Sequence, residues 1–90
     1  MENLSEFFKI FSDPTRLKIL MELLNGELCV SDISSKINMS PSAVSHQLMY
    51  LRQTKAVKKR KDGNVIYYRI ADSHIETIIK YGLEHISEEK

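Results

Sequence analysis

Apolar residues recur along this chain at helical spacing in five places and at strand-like density in one. Leu4, Phe7, Phe8 and Phe11 stand at i, i+3, i+4 and i+7, one face of a short first helix. Asp13-Pro14 reads as an N-cap followed by a first-turn proline. Leu17, Leu20, Met21 and Leu24 then form the stripe of a second helix that ends at Asn25-Gly26. Ser31 can cap a third helix with Ile33 and Ile37 inward, broken at Asn38-Met39. Ser40-Pro41 repeats the cap-plus-proline signal and opens a fourth helix. Its inward positions Val44, Leu48 and Leu51 leave Ser42, Ser45, His46 and Met49 outward.

From Ala56 the pattern changes. Val57 to Lys61 and Val65 to Ile70 are β-prone runs flanking Asp62-Gly63-Asn64, which predicts a β-hairpin with a tight loop of uncertain length, up to three or four residues. After Asp72-Ser73, the residues Ile75, Ile78, Ile79, Leu83 and Ile86 fall on one face of a C-terminal helix. The expected fold is one domain over 1–90, mainly α with a β-hairpin wing: four helices, a hairpin and a helix.

Composition narrows the setting. A 42% hydrophobic chain of 90 residues with three Gly and two Pro is globular, yet its core is small enough that self-association would help it. The single Cys29 excludes an internal disulfide framework and a multi-cysteine zinc site, so a reducing, cytoplasmic compartment is expected. The opening MENLSEFF is acidic where a signal peptide would be basic, and no apolar run is long enough to span a bilayer; no membrane partner is expected.

Net charge is +1, which taken alone argues against nucleic acid. Partitioned, it argues the reverse. Residues 1–45 carry −2 and the tail from 71 carries −3, while residues 46–70 hold seven basic side chains against Asp62 alone, a net +6. Two helices joined by about three residues, followed by a basic hairpin, make the winged helix-turn-helix arrangement. Ser40, Ser42, Ser45, His46 and Gln47 are small or polar groups that let the fourth helix sit in a major groove and offer donors and acceptors to base edges. Lys58, Lys59, Arg60 and Lys61 would neutralise phosphates of double-stranded DNA.

The segments FSDPTRLKIL (11–20), ELCVSDIS (27–34), SAVSHQLMYLR (42–52) and DGNVIYYRI (62–70) together resemble the ArsR/SmtB family of bacterial metal-sensing repressors. The resemblance implies a homodimeric winged helix, paired through its N- and C-terminal helices, that binds operator DNA when metal-free and releases it when metal binds. No enzymatic activity is implied.

Two metal sites of that family can be tested on these residues. One lies on the third helix and uses a C-x-C pair; here the segment reads Cys29-Val30-Ser31, and the second thiol is absent. The other lies on the C-terminal helix, which offers Asp72, His74, His85 and Glu88. His74 and His85 are eleven residues apart, nearly three full turns, so they share a face but stand about 16 Å apart along the axis. One helix cannot bring them to one ion. The pairs 74/85 and 72/88 have almost the same midpoint, near Ile79 and Lys80. A two-fold axis there, with the helices antiparallel, would build two identical sites, each with Asp72 and His74 from one chain and His85 and Glu88 from the other. Four N/O ligands suit tetrahedral Zn(II), with Co(II) as a surrogate. The D-x-H-x(10)-H-x-x-E pattern is that of the zinc-sensing SmtB-like branch. The resemblance further implies a link from the second ring nitrogen of His85 to the backbone near Lys55 and Ala56. The competing reading is a winged-helix repressor whose metal site is vestigial or which answers another signal.

Overall fold

The computed structural model describes residues 3–88. Helix α1 (Leu4–Phe8) runs into a 3-10 segment (Lys9–Ser12), followed by α2 (Pro14–Leu23), a short strand β1 (Leu28–Cys29), α3 (Val30–Ile37), α4 (Pro41–Gln53), the hairpin strands β2 (Val57–Asp62) and β3 (Val65–Ile70), and α5 (Ser73–Glu88). The four helices, hairpin and closing helix expected from the sequence are all present.

Of the caps the sequence predicts, Asp13 and Ser40 form and Ser31 does not: α3 already begins at Val30, behind an extended Cys29, and no side chain caps it. Asn3 accepts the Glu6 N–H at 2.9 Å, Asp13 that of Arg16 at 3.0 Å, and Ser40 that of Ala43 at 3.2 Å, each satisfying a donor the first turn cannot pair internally. Helix α4 stops in a two-bond reversal: Ala56 N–H donates to Leu51 O at 2.8 Å and Lys55 N–H to Arg52 O at 3.1 Å, with Lys55 left-handed at φ 66°. The buried pair Leu51 and Ala56 closes the motif.

Three further details differ from the sequence expectation. The chain switches from α to 3-10 geometry after Phe8, which turns Ile10 fully into the core and leaves Leu4 and Phe8 exposed. In α2 the buried residues are Ile19, Leu20 and Leu23, not Leu17 and Met21. Its apolar residues, Leu17, Ile19, Leu20, Met21 and Leu23, spread over a broad face, so periodicity alone could not choose which of them point inward. And β1, which has no local signal of its own, adds a third strand: Leu28 pairs with Tyr68 and Cys29 with Tyr67, giving the order β1-β3-β2. The hairpin loop is two residues, since Asp62 pairs directly with Val65; Gly63, at φ 63°, supplies the positive dihedral.

The core gathers Ile19, Leu20, Ile33, Val44, Leu48 and Leu51 from α2, α3 and α4, sealed by Val57, Ile75 and Ile79 from the wing and α5. Leu48 is completely buried at its centre, whereas neighbouring Met49 is 55% exposed. Leu48→Ala is therefore expected to lower stability by roughly 2–5 kcal/mol and the melting temperature by about 10 °C or more, while Met49→Ala costs about 0.5 kcal/mol or less. Thermal melts of the two variants followed by circular dichroism check the contrast.

Candidate nucleic-acid interface and metal-binding helix

The turn between α3 and α4 is held tightly. Asn38 is left-handed at φ 57°, Met39 N–H donates to Ser34 O at 3.1 Å, and the Ser34 hydroxyl donates to Met39 O. This fixes the angle at which α4 leaves. With Val44, Leu48 and Leu51 buried at i, i+4 and i+7, the opposite face carries Ser42, Ser45 and His46 into solvent, with Gln47 half-buried at the margin. Ser40 is exposed, and the oxygen that caps α4 leaves its O–H able to donate outward. The structure thus places the five residues expected to read DNA at the start and outer side of one helix.

The wing's four consecutive cations alternate between the two faces of the sheet, because partners across an antiparallel pair share a face. Lys58 and Arg60 lie opposite Arg69 and Tyr67; Lys59 and Lys61 lie opposite Tyr68 and Ile66. Arg60 is already engaged. Its Nε donates to both Glu27 carboxylate oxygens at 2.9 and 3.0 Å, its Nη2 donates to Glu27 Oε1, and the guanidinium lies over the Tyr67 ring with 4.9 Å to the centroid. A weaker contact of 3.8 Å reaches Asp62. Arg60 is thus a latch across the sheet between the turn before β1 and the outer strand. Among the described residues, Lys58, Lys59 and Lys61 have no carboxylate partner.

Hydrogen bonding from Arg60 holds the Glu27 carboxyl below its usual value of 4.5, and Glu27 in turn raises Arg60 above its own. A carboxylate with a lowered folded-state pKa contributes stability above its unfolded pKa, and that contribution disappears as pH falls through the folded value. The latch is expected to be closed at neutral pH and to open only below about pH 4.5. The Arg60 Nε–H resonance should be protected from exchange at pH 7, lose protection in acid, and be unprotected throughout in Glu27→Gln.

Three further cations join the wing. Arg52 and Lys55 from the end of α4 and Arg69 from β3 surround, with Lys58 and Lys59, an open hollow of about 530 Å³ at the base of the hairpin, which Asp72 also borders. All three belong to the +6 segment, though no local pattern sets them apart within it. That charge count was the signal.

On α5, Asp72 Oδ1 accepts the N–H groups of His74 at 3.0 Å and Ile75 at 3.2 Å, capping the helix, and lies 3.6 Å from His74 Nδ1. The second Asp72 oxygen, Oδ2, makes no hydrogen bond among the described residues. His74, His85 and Glu88 are all exposed. Asp72 and His74 therefore form one couple at the helix start, and His85 and Glu88, at i and i+3, another near its end. The structure does not bring the couples together: among the described residues no three His, Cys, Asp or Glu side chains of one chain converge on a point that could hold an ion. Cys29 is half-buried at the start of α3, with Sγ 3.3 Å from the Ser31 hydroxyl. No described helix is long and apolar enough to cross a membrane.

An outward helix of small donors beside a basic hairpin, both fixed to one core, defines a winged helix-turn-helix protein of the DNA-reading class. Residues 13–59 match the family model described as bacterial regulatory protein, arsR family. The chain belongs to the ArsR/SmtB family of metal-sensing transcriptional repressors, which are DNA-binding regulators and not enzymes.

Among its relatives, the transcriptional repressor SmtB homolog of Synechocystis is 39% identical over 87 residues, covering 97% of this chain and 66% of that protein. The cadmium resistance regulatory protein CadC homolog of Staphylococcus aureus is 37% identical over 92% of this chain and 69% of its own length. The chain thus spans about two-thirds of these relatives. Among solved structures, the antimony-specific repressor AntR superposes with a TM-score of 0.85 at 36% identity, covering 94% of this chain and 78% of AntR. A homodimeric winged helix-turn-helix domain from Mycobacterium bovis, Mb0332, gives 0.83 at 27% identity, covering 94% of this chain and 78% of that domain.

Proposed function

We propose that this protein is a homodimeric repressor that holds operator DNA when metal-free and leaves it when Zn(II) occupies two sites shared between the C-terminal helices. The observation that carries this reading is the layout of α5: two exposed ligand couples, one at each end, separated by a helix that presents apolar residues to solvent. Among the described residues, neither couple finds a third ligand within its own chain. Asp72 and His74 from one protomer with His85 and Glu88 from the other make four N/O donors, a set that suits zinc and accepts cobalt. A bound divalent ion would supply a cross-link between the two protomers. Softer ions such as those named for the cadmium and antimony regulators favour thiolates, and this chain has one.

The dimer has a surface to bury. Leu4 and Phe8 on α1 and Tyr81, Leu83 and Ile86 on α5 are exposed large apolar groups, and an apolar groove of about 240 Å³ runs between α2 and α5, lined by residues that include Leu17, Met21, Ile78 and Leu83. A partner's α5 laid antiparallel across it covers this face. The apolar face of α5 thus divides: Ile75 and Ile79 serve the protomer's own core, and Leu83 and Ile86 are left for the partner.

Two reading helices about 34 Å apart would meet successive major grooves, with Lys58, Lys59 and Lys61 on the phosphates. Coupling is reciprocal, so DNA must weaken metal binding by the factor by which metal weakens DNA binding. The test follows the mobility of the duplex that the protein selects from a random-sequence pool, first with chelator and then with added zinc. Binding followed by release supports the reading. Binding unaffected by zinc removes the sensor, and no binding in either condition removes the repressor.

A further inference from the structure

Arg16 occupies a socket that the reading above does not use. Its backbone N–H is taken by the α2 cap, Asp13. Its guanidinium reaches back, Nε donating to Ile10 O at 3.1 Å and Nη2 to Lys9 O at 2.7 Å, so it satisfies carbonyls of the 3-10 segment in which the N-terminal helix ends. The same planar group lies over the ring of Tyr50 on α4, 4.3 Å from the centroid. Among the described residues no hydrogen bond runs directly between residues 3–12 and α4, so this one side chain is the polar connection between them. Tyr50 stands one turn beyond His46 on the recognition helix, and its carbonyl receives both the N–H and the hydroxyl of Thr54.

The geometry points to Arg16 as a positioning residue that sets the angle of the recognition helix against the N-terminal helix, and so against the dimer face that α1 carries. A guanidinium can do this because its plane presents donors at the edge and a cationic face to an aromatic ring at the same time; an ammonium cannot hold both directions. A displacement of α1 at the dimer face is then passed to α4 as a tilt, without Arg16 touching DNA. This inference rests on the proposed repressor function for its DNA readout, though not for its structural one.

The test compares Arg16→Lys, Tyr50→Leu and the double variant with the wild type in two measurements. In hydrogen exchange of the free protein, the amides of Tyr50–Thr54 are expected to exchange faster in all three, while those of Ile19–Leu23 in the core are unchanged. Affinity for the duplex that the wild type selects from a random pool is expected to fall about tenfold in each single variant, and no further in the double, because both substitutions break one connection. The slope of affinity against salt stays that of the wild type.

Unchanged exchange in α4, acceleration spread over the whole chain, or additive losses would overturn the assignment. So would a shallower salt slope, which marks a direct phosphate contact. Should the wild type bind no duplex at all, the repressor reading fails, and the exchange measurement decides the role of Arg16 by itself.

Discussion

His85→Ala protein is expected to bind the selected duplex in the presence of chelator and to stay bound when zinc is added. The wild type should lose affinity by a factor between about 5 and 150, the usual range for coupling between two sites. The expectation follows from position. His85 is exposed near the far end of α5 and lies outside the buried core, so its loss leaves no cavity. In the proposed dimer its removal would take one of four ligands from both shared sites at once, since each would borrow one His85. Metal content should fall with it, from one zinc per chain to substoichiometric occupancy. Asp72→Ala is a less clean probe, because Asp72 also caps α5 through two backbone N–H groups and its removal costs about 1 kcal/mol of stability besides. Zinc titration of duplex binding, with metal analysis of the same preparations, checks both. Release of DNA by zinc from His85→Ala would show the sensing site to be elsewhere.

Replacing Lys58, Lys59 and Lys61 together by Ala should flatten the dependence of affinity on salt. Each phosphate neutralised contributes about 0.9 to the slope of log affinity against log salt, so three lysines on each of two wings correspond to a change of about five. The loss should be the same for the selected duplex and for a random one, because phosphate contacts carry no sequence information. Arg60→Ala removes a charge of the same size from the same strand but is expected to change the slope much less. Its guanidinium is committed to Glu27 and Tyr67, and its removal loosens the sheet edge rather than a phosphate contact. A salt series from 50 to 200 mM for the wild type, the triple variant, Arg60→Ala and the single variant Lys59→Ala separates the two roles. Equal effects of Arg60 and a single lysine would mean that the latch opens on DNA.

The contrast between Arg60 and its neighbours shows where sequence reading stops. KKRK is a uniform basic run, and nothing within it distinguishes the third residue. The distinction comes from Glu27, 33 residues earlier, brought alongside only because β1 joins the sheet next to β3. Strand β1 was invisible for the same reason: two residues have no period, and Leu28 and Cys29 are extended because Tyr68 and Tyr67 offer them a ladder. Helix α4 was legible in its start and in its two faces. Its cap, its proline and its inward positions act within one or two turns, and each side chain that repeats on that face meets the same core. Helix α2 shows the converse, since Leu17, Ile19, Leu20, Met21, Leu23 and Leu24 offer more than one possible inner face, and neighbouring elements made the choice.

By itself, then, the sequence determined the five helices, the hairpin and their order, the face that α4 turns outward, the basic wing, and an inventory of two imidazoles and two carboxylates on α5 and its approach, with a single thiol elsewhere. These depend on hydrogen bonds and periodicities that span a few residues. The tertiary structure decided which cation the protein keeps for itself, which apolar residues of α5 enter the core and which stay exposed, and that the two histidine–carboxylate couples of one chain stay apart. Each of these is a matter of which distant groups meet, and only the packing of helices and sheet against one another sets those distances.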